Sequence, residues 1–349
     1  MKGLVFAGDR KVELQAFPDP SPGPNEVVLE IKASGMCGSD LKVYRAPPGE
    51  GLKNLGYTEA MHVIAGHEPC GVVVAVGSNV NPKQAYVGQR AMVHHYRGCG
   101  ACAHCATGWQ QMCVEGVAEI YGITGHGAHA RYMKCPANTI VELREELSFE
   151  TGAAIACGTG TAWAALHRLQ MTGDQTIAIF GQGPVGLSAT QLAIAMGARV
   201  IALDISEERL GRAKAFGAEE IINPSKTDAV AAIRQLTHGL GAHASMDTSS
   251  SPDARLQSVQ CVRSWGKACF VGEGGSVSID VSRDMLRRQV TVMGSWTFST
   301  VGQKACNDFI ADRKINVDGL FTHRWRLDQG EEAYQIFDQQ HSGKGVFLM

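Results

Sequence analysis

Four cysteines crowd into one short stretch. Cys99, Cys102, Cys105 and Cys113 lie in GCGACAHCATGWQQMC, with the spacing C-x2-C-x2-C-x7-C. Thiolates this close can converge on one tetrahedral zinc(II), with Zn–S bonds of about 2.3 Å. Four protein ligands leave no position for water or substrate, so such a site is structural. The alternatives are free thiols or a pair of adjacent disulfides. Against disulfides, the chain has 11 cysteines, an odd number, and only a short apolar run precedes Gly8, Asp9 and Arg10. That pattern predicts no secretory leader and a reducing, cytoplasmic setting. His104 falls inside the same loop and reads as solvated, because four sulfurs already saturate the metal.

A second constellation is built on glycine. Gly181, Gly183 and Gly186 form G-x-G-x-x-G in FGQGPVGLSA, with Pro184 and Val185 between the last two. An apolar strand precedes the motif and a helix follows at once. In that context the first Gly allows a tight turn, the second lets a pyrophosphate approach the backbone, and the third lets helix pack on strand. The helix N-terminus offers unpaired N–H groups to phosphates. Asp204 ends the next apolar strand, 23 residues after Gly181. A carboxylate there accepts from ribose hydroxyls and repels a 2′-phosphate, so NAD(H) is expected over NADP(H). The plainer alternatives are an ordinary strand–turn–helix connection and a solvated strand end.

Three further pieces are weak one at a time. Gly35-Met36-Cys37-Gly38-Ser39-Asp40 offers a thiolate and, two residues on, a hydroxyl. Gly66-His67-Glu68 offers an imidazole beside an acid, and Ala156-Cys157-Gly158 another thiolate. A lone Cys is most often a small buried residue, and a lone His a satisfied core or surface group.

The elements that must position these groups fall into two styles. Up to about residue 150, short strands alternate with turn residues, as at 27–31, 70–76 and 87–93. This is an all-β pattern, expected to form a partly open barrel. From about 150, helices are expected at 149–156 and 161–169, and then strands and helices alternate. Strands are expected at 176–180, 199–203, 220–222, 244–247, 267–271 and 290–293, with helices at 184–196, 207–216, 228–236 and 253–262. Ser206 reads as an N-cap and Gly217 as a helix stop. Such alternation predicts an α/β unit with a parallel sheet covered on both faces. The tail from about 296 has no nucleotide motif and is expected to return to the first domain.

Taken in order, GMCGSD, AGHEPCGVVVAVG, the four-cysteine lobe, ACGTGTAWAAL, GQGPVG and Leu203-Asp204 resemble the zinc-dependent medium-chain dehydrogenases, the group of zinc alcohol, polyol and threonine dehydrogenases. The resemblance covers essentially the whole chain. It implies a mainly-β, GroES-like catalytic domain over 1–152 and 296–349, with a doubly wound Rossmann domain, 153–295, inserted in it. It implies two zinc ions per chain, one structural on Cys99, Cys102, Cys105 and Cys113, and one catalytic on Cys37, His67 and Cys157 with a fourth position for water or substrate. Alcohol dehydrogenase is the type example of that Cys2His set. Glu68 matches the family's acid beside the ligand, and Asp40 the carboxylate that fixes the ligand His. Ser39 matches the hydroxyl that takes the substrate proton. Many relatives carry a His five residues after the first ligand Cys; here that position is Lys42, a proton carrier only if burial or charge lowers its pKa. His94 and His95 are alternatives for that relay, although packing or a loop is the simpler reading. Arg209 matches a basic position near the adenosine ribose, the alternative being a solvated helix face.

The implied activity is hydride transfer between NAD(H) and a secondary alcohol or polyol and its ketone. An L-threonine 3-dehydrogenase-like activity is second, and a primary alcohol dehydrogenase third. Residues 44–63, a long stretch between Cys37 and His67, and Trp296 are candidates for lining the substrate site. Zinc-free quinone reductases share the fold but lack the metal ligands, and a crystallin-like structural protein would not need Cys37, Ser39, His67 and Cys157 intact. Lys+Arg total 32 and Asp+Glu 34, a net charge of −2, so nothing points to nucleic acid or an anionic membrane. No run of about 20 apolar residues occurs, so no membrane span is expected. The family implies a homodimer or homotetramer.

Overall fold

The computed structural model describes residues 1–50, 62–116, 119–340 and 343–349. The chain divides into two compact units, Met1–Gly160 with Phe298–Met349, and Thr161–Thr297. The division falls inside a continuous helical stretch, where the sequence pattern turns at 152. Helix Phe149–Ala154 runs through a π turn, Ile155–Thr159, straight into helix Gly160–Leu169. The break expected between two helices is thus a widened turn within one rod. Such turns recur at functional sites.

The first unit is built on a seven-stranded mixed sheet. Its order is Phe321–Trp325, Lys344–Leu348, Glu26–Gly35, Glu68–Val76, Arg90–Val93 and Ile140–Glu142, and Tyr132–Pro136 also pairs with Glu26–Gly35. Glu26–Gly35 is long enough to change partners. Glu26 to Glu30 pair with Tyr132–Pro136, and Ala33 to Gly35 pair with Val346 to Leu348. Alternation along this strand turns Val27, Leu29 and Ile31 into a core shared with Val73, Ala91, Val93 and Met133. The tail packs into the same sheet and supplies both its edge strand, Phe321–Trp325, and the interior strand next to it, Lys344–Leu348.

The second unit is a six-stranded parallel sheet. From one edge the order is Glu220–Ile222, Arg199–Leu203, Thr176–Phe180, Ala242–Asp247, Val262–Phe270 and Thr291–Gly294. In chain order this is 3-2-1-4-5-6, the doubly wound nucleotide-binding arrangement, whose strand order reverses beside the first strand. Thr176–Phe180 is buried at every residue, as a strand covered by helices on both faces must be. Most boundaries fall within two residues of expectation, and one strand start differs by more. The strand expected from 267 begins at Val262, which pairs with Ala242 before the register jumps to Ala244 and Lys267. The intervening residues bulge out at Trp265, which takes φ +65° and is 75% exposed. Among the described residues, no helix is long and apolar enough to cross a membrane.

Candidate functional site

Three segments of the first unit deliver one cluster of donor atoms. Cys37 follows strand Glu26–Gly35, and its backbone N–H donates to Asp40 Oδ2 at 2.9 Å, which folds the loop into helix Asp40–Arg45. His67 precedes strand Glu68–Val76, after Gly66 at φ +91°. Cys157 sits in the π turn. One donor atom each from Cys37, His67, Glu68 and Cys157 lies within 4.8 Å of the other three. The two sulfurs are 3.9 Å apart. A disulfide requires about 2.05 Å, whereas the edge of a tetrahedron with 2.3 Å Zn–S bonds is about 3.8 Å. Glu68 Oε1 is buried with no hydrogen-bond partner among the described residues. Two thiols, an imidazole and an unsatisfied carboxylate oxygen are a donor set suited to zinc(II).

The electrostatics show what a cation would relieve. Hydrogen bonding from Cys157 holds the Cys37 thiol well below its ordinary value against the cost of burial, while the same contact and burial push Cys157 well up. Burial pulls His67 down, but Asp40 and Cys37 beside it raise it well above its ordinary value. Asp40 Oδ1 lies 2.9 Å from His67 Nδ1, and Ser39 Oγ lies 3.2 Å from Nε2. Lys42 follows on the same short helix, half-buried, with its N–H on Ser39 O at 3.1 Å.

The four-cysteine lobe closes on itself in the same way. Cys99, Cys102, Cys105 and Cys113 bring their sulfurs within 4.8 Å of one another, with Cys99–Cys105 and Cys102–Cys113 each at 4.0 Å. All 11 cysteines are free. Backbone N–H groups of Ala101 and Cys102 point at Cys99 Sγ, at 3.5 and 3.3 Å, and that of Cys99 at Cys113 Sγ at 3.3 Å. These donors stabilise thiolate. They lower Cys99, and backbone N–H groups of Cys105 and Val114 bring Cys102 to about 6, while burial pushes Cys105 up to about 12. A divalent cation would let all four ionise together. His104 is exposed. The lobe is pinned to the first unit where Thr300 N–H donates to Gly108 O at 3.0 Å and Gln111 Nε2 to Phe298 O at 2.8 Å.

In the second unit the glycine turn follows strand Thr176–Phe180. Gly181 takes φ +88°, a left-handed conformation open to glycine at little cost. A Cβ on Gly186 would lie 1.8 Å from Gly181 O, whereas one on Gly183 would meet nothing within 4 Å. The third glycine is therefore demanded by the turn itself, and the second leaves open space over the start of helix Pro184–Ala195, with Pro184 and Val185 in its first turn. Asp204 is only 6% exposed and accepts the Gln182 N–H at 2.6 Å and the Ser206 N–H at 2.9 Å. It ties the glycine turn to the start of helix Glu207–Ala215, whose Arg209 Nη1 lies 3.9 Å from Asp204 Oδ2.

Some groups near the cluster were not visible in the sequence. Lys344, on the last strand, forms a buried ion pair with Glu68 Oε2 and donates to Met36 O at 3.0 Å. His94 and His95, which the sequence offered as relay alternatives or as packing, are buried. His95 Nδ1 lies 3.0 Å from Ala156 O, and its ring is edge-on to His67 at 5.3 Å. A run of histidines gives no hint of this, since only the fold brings them beside the π turn. Trp296 is 47% exposed and belongs to the second unit. Of the stretch 44–63, residues 51–61 lie outside the described residues.

Comparison with known proteins adds the following. Residues 23–145 match the alcohol dehydrogenase GroES-like domain, and residues 184–312 the zinc-binding dehydrogenase family. An uncharacterized zinc-type alcohol dehydrogenase-like protein of Escherichia coli, YphC, is 34% identical over 99% of this chain and 98% of its own length. The sorbitol dehydrogenase of Bacillus subtilis is 31% identical, covering 96% of this chain and 93% of its own. The L-threonine 3-dehydrogenase of Pyrococcus furiosus is 30% identical, covering 97% and 95%.

Proposed function

Since this chain belongs to the zinc-dependent alcohol dehydrogenase family of oxidoreductases, we propose that it transfers hydride between NAD(H) and a secondary alcohol or polyol and the matching ketone. The observation that carries this reading is the convergence of donor atoms from Cys37, His67, Glu68 and Cys157 within 4.8 Å of one another. Cys37, His67 and Cys157 would hold one zinc(II), and Cys99, Cys102, Cys105 and Cys113 a second, structural one. When bound at the first site, zinc(II) supplies Lewis acidity that makes a hydroxyl easier to deprotonate and a carbonyl easier to reduce.

The remaining work falls to the chain. Ser39 Oγ, beside His67, takes the proton from the substrate hydroxyl, and Lys42, next along the helix, is the candidate to pass it on. Glu68, whose carboxyl burial raises to about 8, is paired with the buried Lys344 beside the cluster. At the cofactor, the open space over Gly183 and the free N–H groups of helix Pro184–Ala195 receive the pyrophosphate. A carboxylate has about four acceptor positions, so Asp204 keeps capacity for ribose hydroxyls beyond its two backbone bonds. Arg209 is placed to flank the same ribose. The chain is expected to associate as a homodimer or homotetramer, so a sedimentation mass of one chain would reject that part.

The test is a panel of polyols, secondary alcohols, primary alcohols and L-threonine, each with NAD⁺ and NADP⁺, read at the nicotinamide absorbance with zinc content measured in parallel. Reduction of NAD⁺ by polyols or secondary alcohols supports the reading. Preference for L-threonine favours the second reading, which the 30% identity to a threonine dehydrogenase supports. Zinc-loaded protein that reduces neither cofactor with any of these substrates overturns both.

A further inference from the structure

Behind the metal cluster runs a buried row of polar contacts. Asp40 Oδ1 lies 2.9 Å from His67 Nδ1. Its Oδ2 accepts the Cys37 N–H at 2.9 Å and the Tyr334 O–H at 3.3 Å. Tyr334 Oη lies 2.7 Å from His129 Nε2, and His129 Nδ1 lies 2.8 Å from Ser34 Oγ. All five residues are at most 3% exposed, yet they come from distant segments, including strand Glu26–Gly35, helix Asp40–Arg45 and helix Gly330–Asp338. Room for the row is built into the backbone. A Cβ on Gly66, the residue before His67, would lie 2.4 Å from His129 Nδ1.

Donor and acceptor roles along the row follow from one fact, that a carboxylate only accepts. The single Tyr334 proton therefore goes to Asp40, and the Tyr334 oxygen accepts from His129 Nε2–H. Burial pulls His129 down to about 4, so the ring is neutral and carries one N–H. Its Nδ1 is then the acceptor, and the Ser34 hydroxyl donates to it. At the other end Asp40 Oδ1, 2.9 Å from His67 Nδ1, is the acceptor that favours a proton on that nitrogen. This leaves the lone pair of His67 on Nε2, the nitrogen nearer Ser39.

We propose that Ser34, His129 and Tyr334 are positioning residues: through Asp40 they hold His67 in the Nδ1–H tautomer and so set how tightly the Cys37–His67–Cys157 site grips zinc. The inference rests on the metal reading above. It is more specific than core packing, because a row serving only as filler would be indifferent to proton direction and to loss of a single oxygen.

Two measurements on the full-length zinc-loaded protein test it. The first is the tautomeric state of ¹⁵N-labelled histidines by NMR, with His129 expected protonated on Nε2 and bare on Nδ1. The second is zinc transfer to a chromogenic chelator from Tyr334→Phe, which removes one oxygen and keeps the ring. Partners behind a metal-bound His are worth about 10- to 100-fold in metal affinity, so the catalytic-site zinc is expected to leave at least about tenfold more readily. The four-cysteine zinc, held by other residues, is the internal reference and stays at the wild-type rate. Ser34→Ala, at the far end of the row, gives a smaller change in the same direction and serves if Tyr334→Phe does not fold. His129 protonated on Nδ1, or wild-type release of both zinc ions from Tyr334→Phe (from Ser34→Ala if that variant is unfolded), overturns the inference and leaves the functional reading intact. Wild-type protein that holds zinc only on the lobe overturns the functional reading and this inference with it.

Discussion

Ser39 and Asp204 are small polar residues that each serve a local structural end and stand ready for chemistry. Ser39 begins helix Asp40–Arg45 without capping it through its side chain, so its hydroxyl is free for His67 Nε2 at 3.2 Å. Replacing it by Ala removes a proton acceptor and its contact with His67 Nε2 but no helix cap. Ser39→Ala is expected to retain zinc and lose about 10²- to 10⁴-fold in kcat, checked by metal analysis alongside steady-state kinetics. Asp204 is more entangled. Ala there would strip acceptors from the Gln182 and Ser206 N–H groups, at about 1–3 kcal/mol for each donor left unpaired. Asp204→Asn is the cleaner probe, since it keeps an acceptor oxygen and removes the charge. It is expected to shift the NAD⁺/NADP⁺ ratio of kcat/KM toward NADP⁺ by about tenfold, or about 1.4 kcal/mol. An unchanged ratio would remove Asp204 from cofactor selection and leave it a strand-to-helix tie. Both residues could be singled out in the sequence, Asp204 by its distance from the glycine turn and Ser39 through the resemblance carried by GMCGSD. Their local bonds could not, because these depend on loop conformation.

At the level of elements, the parallel sheet was the most readable part of the chain. Its strands are short apolar runs between helices, and both faces are covered; Ser206 accepts its own helix N–H where expected, and Asp228, read from the sequence as the first helical residue, is the cap instead. The π turn at Cys157 was not readable, since nothing in ACGTG separates a helix break from a widened turn. The lobe stands between these cases. Its ligand spacing is explicit, but its docking is not: it hangs on Gly108, which takes φ +86° and whose Cβ, if present, would lie 2.4 Å from Thr300 Oγ1. A left-handed conformation costs a non-glycine residue about 1–2 kcal/mol, and the clash adds to it. Gly108→Ala is therefore expected to loosen the lobe from residues 298–300 while leaving the four sulfurs together. Its zinc should become accessible to chelators and its thiols to alkylating reagents faster than in wild type, with the second unit's hydrogen-exchange protection unchanged. Equal alkylation rates would mean that the lobe is held by its metal alone.

Across the whole molecule, residues far apart in sequence meet in ways no spacing rule announces. Lys344 lies in KGVFL at the end of the chain, where a lysine would normally be assigned to solvent, yet its strand lies inside the sheet and its ammonium is buried against Glu68. The sequence suggested that the tail returns to the first unit, but it carried no sign of which face Lys344 would take, because that depends on the register of Val346 against Gly35. The pair makes the C-terminal strand part of the metal cluster's electrostatics. Removing one member of a buried pair typically costs about 3–5 kcal/mol, because the other charge is left uncompensated, whereas replacing both by neutral groups is often nearly neutral. Lys344→Met should therefore lower the urea midpoint sharply, and Lys344→Met combined with Glu68→Gln should recover most of the loss. Metal separates this from a simple packing defect. With zinc bound, its positive charge faces the same carboxylate, so the destabilisation by Lys344→Met should be smaller in zinc-loaded protein than in chelator-treated protein, while a void left by the lysine chain would cost the same in both. Equal losses with and without zinc, or a double variant no more stable than Lys344→Met alone, would show that the buried lysine acts through its hydrocarbon stem and not through its charge.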